Sequence, residues 1–302
     1  MVCRAVAHVY NFAAPLWFIF PCGSIFFARF KHNNGMSKTS EKSRTAIVVG
    51  GSSGIGCETV FRLTEGGWRV FNISRTPCIN IKVNNICADI TEEDAFKNIG
   101  LIAEEYGLSL LVYCAGCSMA APIEYAREGD YRYLFEVNYF GALRAVQTAV
   151  PFMKEGGGRI ILVGSLGGDI PIIFDSFYSA SKAALEMLAR GANQELKDYN
   201  IKVTALLPGG TATGFTYKRK IYSEDESGVY AKSMNRAVEA LAKMEQGGMS
   251  AAEVADDMYK VINADNPPLI KTCGAKNTAY RLLSRVLPEK FMLYMTEKRY
   301  RQ

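Results

Sequence analysis

Histidine is scarce in this chain of 302 residues: there are two, His8 and His32. Both precede the first run that reads as a strand, so the body of the protein has no imidazole to act as general base or zinc ligand. That excludes a Ser-His-Asp hydrolase. Zinc-ligand spacing is missing too. The eight cysteines fall irregularly, so no metal site is expected, and free thiols in a reducing compartment fit better than a disulfide framework. Cys114 and Cys117 do form a CxxC after a predicted strand, which is either a redox pair or accidental spacing. The formal charge of +5 includes no run of lysines or arginines, so the partner is expected to be a small molecule and not a nucleic acid. Internal repeats and low-complexity linkers are also absent.

Acidic residues are missing from Ala5 to Phe30, where the centre reads FAAPLWFIFPCGSIFFA before Arg29 and Lys31. This apolar stretch is shorter than the ~20 residues that span a bilayer, and Pro15 and Pro21 interrupt it. Three readings stay open for residues 1–43: a membrane anchor, a poorly formed signal, or an upstream extension ahead of Met36, where MSKTSEKSRTAIVVGG resembles a natural start. An anchor followed by these basic residues would leave the body of the chain on the cytoplasmic side. The expected location is therefore cytoplasmic, with membrane association through this segment if it anchors.

What is present from Thr45 onward is alternation. TAIVVG, RVFNIS, NNICAD, LLVYCAG, RIILVGS, IKVTALLP and PLIKTC each read as a strand, with helix-length stretches between most of them. That order predicts an α/β fold: a doubly wound, Rossmann-type parallel sheet with helices on both faces, in one domain over 44–302. The link RTPCINIKV is short and holds Pro77, so no full helix is expected there. Directly after the first strand comes Gly50-Gly51-Ser52-Ser53-Gly54-Ile55-Gly56, leading into a helix. Glycines at such a turn let the backbone approach a pyrophosphate, whose charge sits against the helix N-terminus. The second strand ends in Ser74-Arg75 with no carboxylate, which favours NADP(H) over NAD(H), because an arginine accepts the 2′-phosphate where an acid would bind the free ribose hydroxyl. Asp89, closing the third strand, would either bond the adenine amino group or cap a helix beginning near Thr91.

Tyr178 and Lys182 stand four apart on one predicted helical face, and Ser165 ends the strand RIILVGS thirteen residues before Tyr178. Asn138 lies inside the predicted helix YRYLFEVNYFGALRAVQ, an unfavourable place for asparagine unless its side chain has a task. With the glycine loop and Pro208-Gly209 followed by Thr213, these residues resemble the short-chain dehydrogenase/reductase family from about Thr45 to Thr213. The resemblance implies a nicotinamide cofactor and a Ser-Tyr-Lys-Asn tetrad. Ser165 would orient the substrate oxygen, Tyr178 would exchange its proton, Lys182 would bind the nicotinamide ribose, and Asn138 would hold a water connecting Lys182 to solvent. Implied cofactor contacts are Gly50, Ser52, Ser53, Gly54, Ile55, Gly56, Ser74, Arg75, Asp89, Ala115, Gly116, Tyr178, Lys182, Pro208, Gly209 and Thr213. Two departures stand out: Val49 where the family has Thr, and Tyr113-Cys114-Ala115-Gly116 where it has Asn-Asn-Ala-Gly.

The apolar loop Gly167–Phe174, and Phe215, Tyr217, Tyr222 and Tyr230 in a stretch where the family builds a lid (about 210–250), either wall a pocket for a hydrophobic alcohol or ketone or pack the domain. A steroid, retinoid or lipid carbonyl would suit such a pocket, and the pattern is loosely similar to steroid and retinol dehydrogenases and their bacterial relatives. The C-terminal stretch, about 276–302, reads as a helix that packs, closes over the pocket or lies on a membrane. The resemblance implies a homodimer or homotetramer. The competing function is a non-catalytic NADP-sensing protein on the same fold, with an isomerase or dehydratase a third reading.

Overall fold

In the computed structural model the described residues are 44–301, so the readings for residues 1–43 lie outside them. Each of the seven apolar runs becomes a strand: β1 (Thr45–Val49), β2 (Arg69–Ser74), β3 (Asn84–Cys87), β4 (Leu110–Tyr113), β5 (Gly158–Val163), β6 (Ile201–Leu207) and β7 (Ile270–Thr272). They pair in parallel in the order β3-β2-β1-β4-β5-β6-β7. The principal helices are α1 (Gly54–Glu65), α2 (Glu93–Tyr106), α3 (Glu128–Phe135), α4 (Gly141–Met153), α5 (Ser176–Glu195), α6 (Ala231–Gln246), α7 (Ala251–Asn263), α8 (Ala275–Val286) and α9 (Glu289–Arg301).

Continuous apolar runs form the central strands because both faces of the sheet are covered there, whereas the edge strand β3 (NNIC) is polar and alternately exposed. In β1, Ala46 and Val48 pack with Val60 and Leu63 of α1 and Val254 and Met258 of α7. Ile47 and Val49 point the other way, into a layer with Phe96 and Ile99 of α2, Ala145 and Ala149 of α4, and Leu185 and Ala189 of α5. The strand order reverses at β1, with β2 and β3 on one side and β4 to β7 on the other, which opens a crevice between β1 and β4 at the carboxyl ends of the strands.

The β2–β3 link contains no helix, as its brevity and Pro77 suggest; the Asn85 side chain clasps it, accepting from the Cys78 amide and donating to the Cys78 carbonyl. Two elements differ from the sequence reading. The helix expected across Asn138 is interrupted by a π-helical turn, Glu136–Phe140, where the Gly141 amide reaches back to the Glu136 carbonyl. The C-terminal stretch is two helices and not one: Leu287 takes an extended conformation (ψ 148°) ahead of Pro288. Proline disfavours helix at the residue before it and has no N–H to continue one. Among the described residues no helix is long and apolar enough to cross a membrane.

Candidate active site

The loop after β1 needs its glycines. Gly50 has φ +84°, and a Cβ there would lie 2.6 Å from the Ala115 amide nitrogen; at Gly56 a Cβ would lie 2.2 Å from the Gly50 carbonyl oxygen. The Gly51 amide donates to Asn72 Oδ1 at 2.9 Å, and the buried Asn72 amide donates to Asn85 Oδ1 at 2.8 Å. Asn72 thus pins the loop to β2, a role that its sequence, inside an apolar strand, signals only by being polar. Ser53 begins α1 without a side-chain cap, leaving the first-turn amides available to an anion.

At the end of β2, Arg75 is 69 % exposed; its Nη1 is 3.4 Å from the Tyr133 hydroxyl and 4.0 Å from Asp89 Oδ2. Asp89 does not cap the following helix. Its Oδ1 accepts from the Thr91 amide and hydroxyl in a local turn, and α2 starts later, at Glu93 with Glu92 before it. Ser74 donates to Asn72 Oδ1 at 3.0 Å. Across the crevice, the Pro208 carbonyl accepts from the Leu166 amide, the Gly209 carbonyl accepts from Thr211, and Thr213 packs against Gly54.

The tetrad residues converge. Lys182 is buried and donates from Nζ to the Val163 carbonyl at 2.8 Å; desolvation pushes its pKa down to about 8. Its Nζ lies 5.7 Å from the Tyr178 ring centre. Burial pushes the Tyr178 phenol well up, opposed by a hydrogen bond with Ser165. Ser165 in turn accepts from the Gly167 amide at 3.0 Å, which fixes its oxygen. Asn138, fully buried in the π-turn, accepts from the Cys117 amide at 2.8 Å and donates to the Cys117 carbonyl and to Ser181 Oγ, each at 2.9 Å. Both amide protons are therefore spent on locking the loop after β4 to α5. The unusual Tyr113 joins this assembly: its hydroxyl donates to the Val137 carbonyl, inside the same turn, at 2.5 Å.

One cavity of about 1080 Å³ is lined by Ser165, Tyr178, Lys182 and every candidate cofactor residue, with Asn138 just behind it. Of the lid aromatics only Phe215 reaches the cavity, its ring 5.9 Å from that of Tyr178. Tyr222 is buried and bonded to the Arg127 amide and Asp130, Tyr217 is exposed, and Tyr230 packs edge-on against Tyr125 and Phe174. Ile170, Pro171 and Ile172 supply the apolar wall expected of the loop before Tyr178. Cys114 and Cys117 are free thiols pushed up by burial to about 12 and about 11, hence protonated at neutral pH and poorly suited to redox exchange.

The residues fit a dinucleotide. A glycine cradle that side chains would fill, uncapped amides at the start of α1 and an exposed arginine at the end of β2 run continuously into the pocket that holds Tyr178 and Lys182. Sequence reasoning missed a second polar group in the same cavity, Asp175, Arg219 and Glu245, which are 44 and 26 positions apart.

Residues 44–223, more than half of the chain, match the family described as short chain dehydrogenase. The chain belongs to the short chain dehydrogenase family. A 3-ketodihydrosphingosine reductase of Bacteroides thetaiotaomicron is 30% identical over 82% of this chain and 94% of its own. An NADPH-dependent 1-acyldihydroxyacetone phosphate reductase of Saccharomyces cerevisiae is 31% identical over 60% of this chain and 66% of its own. A short-chain dehydrogenase structure from Streptomyces avermitilis superposes with a TM-score of 0.72 at 25% identity, over 85% of this chain and 96% of that one. Membership identifies the protein as one of a family of oxidoreductases on a Rossmann-type sheet.

Proposed function

We propose that this short chain dehydrogenase is an NADP(H)-preferring reductase of a hydrophobic, lipid-like ketone, acting through Ser165, Tyr178, Lys182 and Asn138. The observation that carries the reading is the convergence of half-buried Ser165 and Tyr178 and buried Lys182 on a cavity that continues to the glycine loop. Bound NADPH would supply the hydride. As charge grows on the ketone oxygen, Ser165 and Tyr178 donate hydrogen bonds to it, and Tyr178 passes its proton across to complete the alcohol. Lys182, cationic below about pH 8, stabilises the phenolate left behind. Asn138 holds the Cys117 peptide and Ser181 in place around that lysine.

The NADP(H) preference is supported by Arg75 at a strand end without a carboxylate and by the NADPH-dependent yeast relative. The lipid-like substrate is supported by the Ile170–Ile172 wall, by Phe215 and by the sphingoid-ketone and acyl-ketone relatives. The proposal extends to a lid over about 210–250 that admits substrate, to a homodimer or homotetramer, and to a cytoplasmic domain that the N-terminal segment can bring to a membrane. The test is a panel of long-chain acyl, steroid and retinoid ketones, each with NADPH and with NADH, followed by loss of reduced-cofactor absorbance. Consumption is expected with NADPH and at least one long-chain ketone; no consumption across the panel would defeat the reading.

A further inference from the structure

Three charges, Asp175, Arg219 and Glu245, are buried beside Tyr178. Asp175 stands at the N-cap of α5, where an aspartate ordinarily accepts from the first-turn amides, yet its side chain makes no capping bond. Its Oδ2 instead accepts from Ser118 Oγ at 2.6 Å and lies 3.6 Å from Arg219 Nε. Glu245 sits in the last turn of α6, the wrong end for a negative charge on a helix, and takes Arg219 Nη2 at 2.5 Å and the Thr216 hydroxyl at 2.6 Å. The Asp175 and Arg219 side chains are each 2 % exposed. The residue that presents Asp175 is strained: Phe174 holds φ +62°, a conformation costly for a non-glycine residue.

Two polar atoms in this cluster have no hydrogen-bond partner, Arg219 Nη1 and Asp175 Oδ1; the Met119 amide faces the Asp175 carboxyl group and favours its ionised form. Leaving a buried donor and a buried acceptor unpaired is expensive, and all three residues line the cavity. Asp175 is one helical turn before Tyr178, roughly 5 Å along the axis, so a group on the carbon next to a ketone held by Tyr178 falls within its reach. With both carboxylates ionised the buried trio carries a net negative charge, two anions against one cation. Of the neighbouring cations, Lys218 is exposed and screened, and Lys182 serves Tyr178.

Resting on the ketone-reductase reading, we infer that Asp175, Arg219 and Glu245 form a polar subsite that selects a ketone bearing a protonated amine on the adjacent carbon and a hydroxyl beyond it. The ammonium donates to Asp175 Oδ1, and the hydroxyl oxygen accepts from Arg219 Nη1. A phosphate in this place would meet two carboxylates, and a plain hydrocarbon would leave both atoms unpaired.

The experiment compares catalytic efficiencies of the full chain with NADPH for four ketones of equal chain length: the 2-amino-1-hydroxy-3-ketone, its N-acetylated form, the unsubstituted 3-ketone and an acyl ketone phosphate. The free amine should lead each of the others by about tenfold or more, the effect of one charge-assisted hydrogen bond. In Asp175→Asn the ratio of free amine to N-acetylated substrate should collapse toward one. Equal efficiencies in the wild type, or a wild-type ratio retained by Asp175→Asn, would overturn the subsite. If that variant does not fold, Arg219→Lys and the wild-type ratios carry the decision. Turnover of none of the four, or of any panel ketone, would remove the reductase reading instead. Calorimetric binding of the amino alcohol against its N-acetylated form to the NADP⁺-loaded protein would then still decide the subsite, with equal affinities overturning it.

Discussion

Tyr178 is half-buried and Lys182 buried, and desolvation moves them in opposite directions: the phenol up, the ammonium down to about 8. Below that value Lys182 is charged and supports proton donation by Tyr178; as pH rises through it, the charge is lost. The rate of ketone reduction should therefore fall above about pH 8, because the cation that stabilises the phenolate left by proton transfer is lost. A reduction rate that climbs through this range would remove Lys182 from the proposed role. Tyr178→Phe removes the donated proton and should cost about a hundredfold or more in kcat while cofactor affinity, measured by fluorescence, changes little. Arg75 is a different case, since its exposed contact with Asp89 contributes little on its own and leaves the guanidinium available to a ligand. Charge-assisted bonds of roughly 1.5 to 3 kcal/mol imply that Arg75→Ala raises KM for NADPH about ten- to a hundredfold. KM for NADH should hardly move, and an unchanged ratio between the cofactors would reduce Arg75 to a surface charge.

At the scale of elements, the central strands were legible because a parallel sheet covered on both faces demands uninterrupted apolar runs, and the glycine loop was legible because its backbone admits no side chain at Gly50 or Gly56. The π-turn was not. Helical periodicity does not specify one extra residue, and only the misfit of Asn138 in an otherwise good helix hinted at it. Tyr113 stood out only as a departure from the family's run, and its hydroxyl braces the same turn through Val137. The polar trio escaped because its members come from the start of α5, the segment after β6 and the end of α6, and nothing local relates them. For the π-turn a measurement follows. Asn138→Ala orphans the Cys117 peptide and Ser181, and each buried unsatisfied group costs about 1 to 3 kcal/mol. In a domain of this size that should lower Tm by several degrees, at about 2 to 4 °C per kcal/mol. Cofactor binding should weaken less than turnover, because the glycine loop is not touched; an unaltered Tm and rate would show the turn to be held by Tyr113 alone.

At the scale of the whole molecule, the residues given a part in the proposed reaction lie between Gly50 and Glu245. β1, the central strand, begins at Thr45, the glycine loop follows directly, and the cavity wall ends with Thr296 and Tyr300 in α9. All seven strands of the sheet lie between Thr45 and Thr272. A chain beginning at Met36 should fold and keep its catalytic efficiency with NADPH within about twofold of the full chain. Membrane behaviour is a separate readout, because α8 and α9 expose Leu282, Leu283, Val286, Phe291 and Leu293 independently of the N-terminal segment. Flotation of both chains with liposomes separates the two surfaces. Binding by the full chain alone would assign the membrane contact to residues 1–35, whereas equal binding by both would assign it to the C-terminal helices. A shortened chain that aggregates or loses activity would make the N-terminal segment part of the working enzyme, and N-terminal sequencing of the full chain would then tell a cleaved signal from a retained anchor.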